Sequence, residues 1–147
     1  HAFWTDEARI AAAPAQMQGA FAGVKRALNG LSSDQLVKFE PGTQVAPGIQ
    51  SVAAFGHTPG HTLFTVRSEG QSFAYVADIT NVPSLFARNP DWAVLFDMNP
   101  EMARQTRRKI FDMLVKEKIV AGGFHFPFPA FGSITPSGNG YQFVPMA

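Results

Sequence analysis

Three short apolar segments of the chain run directly into a histidine or an aspartate. SVAAF at residues 51–55 is followed after one glycine by His57, YVAD ends in Asp78, and IVAGGF at residues 119–124 is followed by His125. Short apolar runs next to glycine are typical of buried strands. Loops held by a rigid sheet are where functional sites tend to be built. The pattern therefore constrains the chain to a fold whose sheet carries polar side chains at its strand ends.

Two helices are predicted from apolar spacing and from their end signals. The first has an apolar stripe of four residues and stops near Gly30: Met17, Phe21, Val24 and Leu28. The second runs from about Pro100 to Lys118, because Asn99 can cap it and Glu101 places a negative charge in its first turn. The basic run RQTRRK, at residues 104–109, is interpreted as the solvated face of this helix.

Alternating side chains and turn residues predict two β-hairpins. One joins residues 62–67 to 72–78 across SEGQ, and the other joins residues 132–135 to 141–144 around PSGNG. The element order is thus helix, strand, hairpin, helix, strand, hairpin. This order favours an α/β or α+β layered fold.

Composition excludes several function classes. A formal charge of +1 with scattered basic residues indicates neither a nucleic-acid partner nor an anionic membrane surface. The absence of cysteine excludes disulfides, thiolate zinc sites and cysteine nucleophiles. The chain of 147 residues is long enough for one domain or part of a larger one, and its start at a histidine leads us to expect a fragment.

Spacing alone does not decide what the strand-end residues do. His57 and His61 are four residues apart, but Pro59 and Gly60 between them predict a turn rather than a helix face. Each histidine is then either a hydrogen-bonded structural residue or a metal ligand. Asp78 either caps a helix or has its carboxylate paired, hydrogen-bonded or bound to metal.

Three segments taken together resemble a known family. HTPGHT, VADIT and GGFHFPFPAFG are similar, in order and spacing, to the second half of the metallo-β-lactamase fold. The Phe-Pro-rich tail, the FWTDEA start and the closing GNGYQFVP look most like the methyl parathion hydrolases and the lactonases related to them. In that family His61 would bind metal while His57 supports the loop, Asp78 would bridge two metals, and His125 would be the last ligand. Ala77 stands where the family usually has glycine.

The resemblance implies an incomplete enzyme. Residues 1–147 would form a single unit with a mixed sheet and flanking helices. This unit would be the C-terminal half of an αββα sandwich whose N-terminal half is absent. The parent would be a dinuclear metal-dependent hydrolase that uses two divalent cations, zinc above all, and a metal-bridging hydroxide on esters, lactones or phosphotriesters. Asp78 would be its catalytic carboxylate. The family's His-x-His-x-Asp-His motif is missing, so the chain alone is expected to hold partial metal or none and to be inactive.

Alternatives and partners follow from the same residues. The HTPGHT turn also fits a glyoxalase-type thioesterase, and a non-catalytic, metal-free interaction fragment is the rival from another class. Four aromatic residues are candidates for an apolar substrate pocket, with core packing as the alternative: Phe3, Trp4, Phe126 and Phe128. We expect a small-molecule substrate, a homodimer or pairing with the missing half, and, from the resemblance alone, a periplasmic or secreted location.

Overall fold

The computed structural model describes residues 1–146, which fall into two compact units. The first unit, residues 1–40, is helical and contains α1 (Ala2–Thr5), α2 (Glu7–Ala12), α3 (Ala15–Asn29) and a single 3-10 turn (Ser33–Gln35). The second unit begins at Pro41 and contains the sheet. The prediction that residues 1–147 act as one domain stays a prediction.

Aromatic packing organises the first unit. Phe21, on the predicted stripe of α3, is its buried centre, and the rings of Phe3 and Trp4 lie 5.9 and 5.0 Å from it between centroids. The Asp6 carboxylate caps α2 by accepting from the amides of Ala8 and Arg9. The predicted helix is confirmed, and the short helix α2 precedes it.

The second unit is built on one seven-stranded sheet. Its strands are β1 (Gln44–Ala46), β2 (Ile49–Ala53), β3 (Thr62–Ser68), β4 (Gln71–Tyr75), β5 (Val120–Gly122), β6 (Phe131–Ser137) and β7 (Gly140–Pro145). They lie in sequence order, and every neighbouring pair is antiparallel except β4 and β5. Both predicted hairpins are confirmed, and the mixed sheet with flanking helices confirms the predicted fold class.

The single parallel pair requires a long crossover, which contains α4 (Pro83–Phe86) and α5 (Pro100–Glu117). Helix α5 begins as its sequence predicts, because the Asn99 side chain accepts from the Met102 amide and proline occupies the first turn. It ends at Glu117, one residue before the predicted end, since Lys118 adopts a left-handed backbone with φ of 53°.

The two faces of the sheet differ. One face packs its small and aliphatic side chains in a core with α5, which contributes Ile110, Phe111 and Leu114. The opposite face carries a group of half-buried or exposed apolar side chains: Val66, Phe73, Tyr75, Val120 and Phe131.

No helix within residues 1–146 combines the length and apolar character needed to cross a membrane.

The contact of α5 with β7 gives a pH-dependence prediction. Tyr141 is 7% exposed and its hydroxyl donates to the Asp112 carboxylate. Burial, followed by this hydrogen bond, raises the pKa of Tyr141 to about 12. Because the folded pKa lies above the unfolded value of about 10, this stabilisation is complete below pH 10 and is lost as the pH rises through about 12. We expect the free energy of unfolding to fall by about 1–2 kcal/mol over that interval.

Urea unfolding between pH 9 and 12 measures this loss. The Tyr141→Phe variant keeps the ring contact with Phe111 and should lose this part of the pH dependence. Tyr75→Phe, which removes the only other tyrosine, is the matched control and should leave it in place. An identical alkaline slope in Tyr141→Phe and the wild type would contradict the prediction.

Candidate functional site

The HTPGHT segment forms a tight turn held against the start of α5. The Thr58 carbonyl accepts from the amides of both Gly56 and His61, at 3.2 Å each. The carbonyls of Gly56 and His57 accept in turn from the amides of Asn99 and Met98, at 2.9 and 3.1 Å. The predicted turn is therefore present, and its position is fixed by the end of α5 that Asn99 caps.

His61 is buried, and backbone groups fix the orientation of its ring. Its Nδ1 lies 2.7 Å from the Ala54 carbonyl, which can only accept, so Nδ1 carries the proton. Its Nε2 accepts from the Asp78 amide at 3.1 Å. Burial lowers the pKa of His61, opposed by the Ala54 hydrogen bond and assisted by the neighbouring His57. His61 therefore presents a neutral ring whose lone pair points toward Asp78.

Asp78 and His125 meet at the carboxyl ends of the parallel strands β4 and β5. The Ala77 carbonyl accepts from the Phe124 amide at 3.1 Å, which extends the pairing past both strand ends. The Asp78 Oδ1 and the His125 Nε2 lie 3.2 Å apart. Asp78 is not the N-cap of any helix in the described chain. Of the two alternatives, the structure therefore shows a paired carboxylate, with His125 as its partner.

The backbone beside Asp78 is strained at Ala77, where the family that the sequence resembles usually has glycine. Ala77 has a φ of 47°, in the left-handed region that disfavours side chains with a Cβ. We expect Ala77→Gly to raise the free energy of unfolding by about 1 kcal/mol. Ala53→Gly is the matched control, because Ala53 lies in β2 and has no positive φ. This replacement should lower the free energy of unfolding by about 0.5–1 kcal/mol. Chemical denaturation of both variants checks the prediction, and a destabilised Ala77→Gly would contradict it.

Two residues of the site were not anticipated from the sequence. Asp97 Oδ1 lies 3.0 Å from His57 Nδ1, and Asp97 Oδ2 lies 3.7 Å from an Arg107 terminal nitrogen. Both the Asp97 and the Arg107 side chains are only 2% exposed. The interpretation of RQTRRK as a solvated face is wrong for Arg107. The sequence did contain an indication that Arg107 is buried, because Arg107 falls in the apolar stripe of α5 between Ala103 and Ile110.

The candidate metal ligands converge on Asp78, but they do not form a complete metal site. His61 contacts the Asp78 amide, and His125 contacts the Asp78 carboxylate. Residues 1–146 contain no group of three histidine, aspartate or glutamate side chains placed to hold one metal ion. The donor types suit zinc. The predicted roles of His57, His61, Asp78 and His125 stay predictions.

The four candidate pocket residues have different surroundings. Phe3 and Trp4 pack in the first unit. Phe126 is 8% exposed and packs edge-on against Phe143 in the core of the second unit. Phe128 is 97% exposed. The substrate-pocket roles of these residues remain untested.

The chain, with its mixed sheet and flanking helices, is similar to solved structures of metallo-β-lactamase superfamily hydrolases. One is the hydrolase AbOPH of the β-lactamase superfamily, with a TM-score of 0.86 and 27% identity over 99% of this chain and 52% of that one. Another is AidC, a dizinc quorum-quenching lactonase, with a TM-score of 0.86 and 24% identity over 99% of this chain and 51% of that one.

A more distant match is a probable metal-dependent hydrolase from Staphylococcus aureus, with a TM-score of 0.55 and 26% identity over 63% of this chain and 33% of that one. No protein-family model and no curated protein matches the sequence. The chain spans about half the length of AbOPH and AidC. The predicted resemblance to the superfamily is confirmed at the level of structure.

Proposed function

We propose that the chain supplies one half, the C-terminal half, of a dinuclear metal-dependent hydrolase. The observation that carries the proposal is the convergence of His61 and His125 on Asp78, at 3.1 Å from its amide and 3.2 Å from its carboxylate. Two histidine nitrogens beside one aspartate are donor types suited to zinc. In the complete protein Asp78 would help to hold both divalent cations, and His61 and His125 would each help to hold one.

The metal pair would supply an activated water and polarise the carbonyl or phosphoryl oxygen of the substrate. The residues of this chain would hold the metal ions and keep the ligand side chains in a fixed orientation. The Ala54 carbonyl keeps the His61 proton on Nδ1, so the lone pair is on Nε2. The Asp78 amide donates to this lone pair at 3.1 Å, and a metal ion would replace the amide as its partner. The parallel pairing of β4 with β5 fixes the Asp78 carboxylate opposite His125.

The remaining ligands would come from outside these residues. Support comes from the span of about half the length of AbOPH and AidC, and from the lack of a three-ligand group within residues 1–146. We therefore expect the chain alone to bind zinc weakly or not at all and to lack hydrolase activity. Finding His-x-His-x-Asp-His encoded upstream of His1 would complete the proposed ligand set.

Zinc stoichiometry and hydrolysis test the proposal in the longer protein. We expect the longer protein to bind two zinc ions per chain. The Asp78→Asn variant should lose bound zinc, and its hydrolase activity should fall by at least about 100-fold. His1→Gln replaces the only histidine that has no proposed role and should leave both readouts unchanged. Absence of metal from the longer protein would exclude the enzyme proposal in favour of a metal-free interaction module.

The substrate class is a separate question. AidC is described as a lactonase, and we propose a lactone, ester or phosphotriester for this protein. A lactone, a thioester and an aryl phosphotriester should be compared under the same conditions. A preference for the thioester would favour the glyoxalase-type alternative.

The apolar face of the sheet supports a proposal about partners. Tyr75 and Phe131 on that face are 37% and 36% exposed, on the side opposite the α5 core. We propose that this face packs against the rest of the hydrolase domain or against a second copy of the chain. Sedimentation analysis of the chain at micromolar concentration tests whether it associates. A well-folded monomer would contradict the proposal.

A further inference from the structure

We propose that Arg107 and Asp97 are positioning residues that set the tautomer of His57. Through the same contacts they hold together the two loops that carry His61 and Asp78. The catalytic importance of those loops rests on the proposed function, whereas the positioning itself can be measured without metal or substrate.

The Asp97 carboxylate can only accept hydrogen bonds, and its two oxygens face different groups. Oδ2 accepts from the Val94 amide at 3.2 Å and lies 3.7 Å from the Arg107 guanidinium, and both of these groups can only donate. Oδ1 lies 3.0 Å from His57 Nδ1 and accepts from it. The neutral His57 ring therefore carries its proton on Nδ1, and its Nε2 holds a free lone pair.

Arg107 connects this carboxylate to the loop that follows β4. Its Nε donates to the Ile79 carbonyl at 2.8 Å, and Ile79 is the residue after Asp78. A terminal nitrogen donates to the Pro90 carbonyl at 2.7 Å. The planar, permanently charged guanidinium can satisfy these directions at once, which a lysine ammonium on a flexible stem cannot. One buried cation thus joins three segments of chain around the site.

A neighbouring ion pair distinguishes positioning from ordinary helix anchoring. Arg108 and Asp91 also pair a residue of α5 with the preceding loop, but their side chains are 38% and 64% exposed. The two pairs have the same residue types on adjacent helix positions. Only the Arg107–Asp97 pair contacts a histidine of the candidate site.

Asp97→Asn tests the proposal through the His57 tautomer. The single amide oxygen must face the donors Val94 and Arg107, so the amide NH2 turns toward His57 Nδ1, which must then accept. The proton of His57 is expected to move from Nδ1 in the wild type to Nε2 in the variant. Long-range 1H–15N NMR spectra of the rings at pH 8.5 distinguish the two forms.

The controls use the same spectra. Asp91→Asn should leave His57 unchanged, and His61 should stay in the Nδ1–H form in both variants, since its partners are backbone groups. Retention of the Nδ1–H form of His57 in Asp97→Asn overturns the proposal. If that variant does not fold, the wild type decides, because a wild-type His57 with its proton on Nε2 also overturns it.

Hydrogen exchange tests the loop-holding part. The amides of Met98 and Asn99 donate to the HTPGHT turn, so their protection reports its position. We expect protection to fall about tenfold in Arg107→Lys and to be unchanged in Arg108→Lys. Equal protection in both variants would overturn this part. Since neither readout involves zinc or hydrolysis, failure here is distinguishable from failure of the proposed function.

Discussion

Replacing Arg107 with methionine is expected to lower the free energy of unfolding by about 3–5 kcal/mol. Methionine preserves much of the buried volume but leaves the Asp97 carboxylate, 2% exposed, without its cation. The carbonyls of Ile79 and Pro90 also lose their donors. Urea denaturation followed by far-ultraviolet circular dichroism measures the change.

Arg108→Met is the matched control for this result. The Arg108–Asp91 pair is solvent-exposed, so its loss should cost no more than about 1 kcal/mol. The prediction is therefore a difference of several kcal/mol between two adjacent arginines of one helix. Similar losses in the two variants would mean that Arg107 contributes only as a general helix residue.

Gly56→Ala is expected to be the second most damaging change, at about 3 kcal/mol or more. Gly56 has a φ of 130°, and a Cβ added to it would lie 2.3 Å from the backbone nitrogen of Ala103 in α5. The methyl group has no flexible neighbour to displace, so the HTPGHT turn or the helix start has to move. The midpoint of thermal unfolding and the NMR shifts of His57 and His61 report the change.

Two other glycines separate the causes. Gly42 has a φ of 95° with open space around a Cβ, so Gly42→Ala introduces strain without a clash and should cost about 1 kcal/mol. Gly60 lies in the same turn as Gly56, with open space and no positive φ, and Gly60→Ala should change stability by less than about 0.5 kcal/mol. A Gly56→Ala loss no larger than that of Gly42→Ala would exclude the close approach as its cause.

The elements with strong local signals were predictable from the sequence. Helix α5 has a cap at Asn99, a proline in its first turn and an apolar stripe, and all three are local properties. The hairpins follow from alternation and turn residues, which are local as well. The strand-end positions of Asp78 and His125 followed from short apolar runs, and the structure places their side chains 3.2 Å apart.

The buried network was not predictable in the same way. Whether an arginine on a helix is buried depends on carbonyls and carboxylates that other segments bring to it, here at Ile79, Pro90 and Asp97. Those partners are up to 28 residues away in the chain. A run of basic residues favours solvent on average, and only tertiary structure overrides that tendency for Arg107.

The left-handed backbone conformations beside the site also could not be predicted from the local sequence. Ala77 and His125 have φ values of 47° and 64°, which neither alanine nor histidine prefers. They are held there by the pairing of the two loops, in which the Ala77 carbonyl accepts from the Phe124 amide. Such strain persists only where the surrounding structure over-determines the backbone.

The parallel pairing of β4 with β5 has a consequence for the order of assembly. Strands β2, β3 and β4 meet through short connections, as do β6 and β7, whereas β4 reaches β5 only after the segment with α4 and α5 has closed. Closing a long loop costs chain entropy before its contacts form. We therefore expect the hairpins to form before Asp78 meets His125. A partly folded chain would contain most of the sheet while lacking the juxtaposed carboxylate and imidazole, so the candidate site would be a late marker of complete folding.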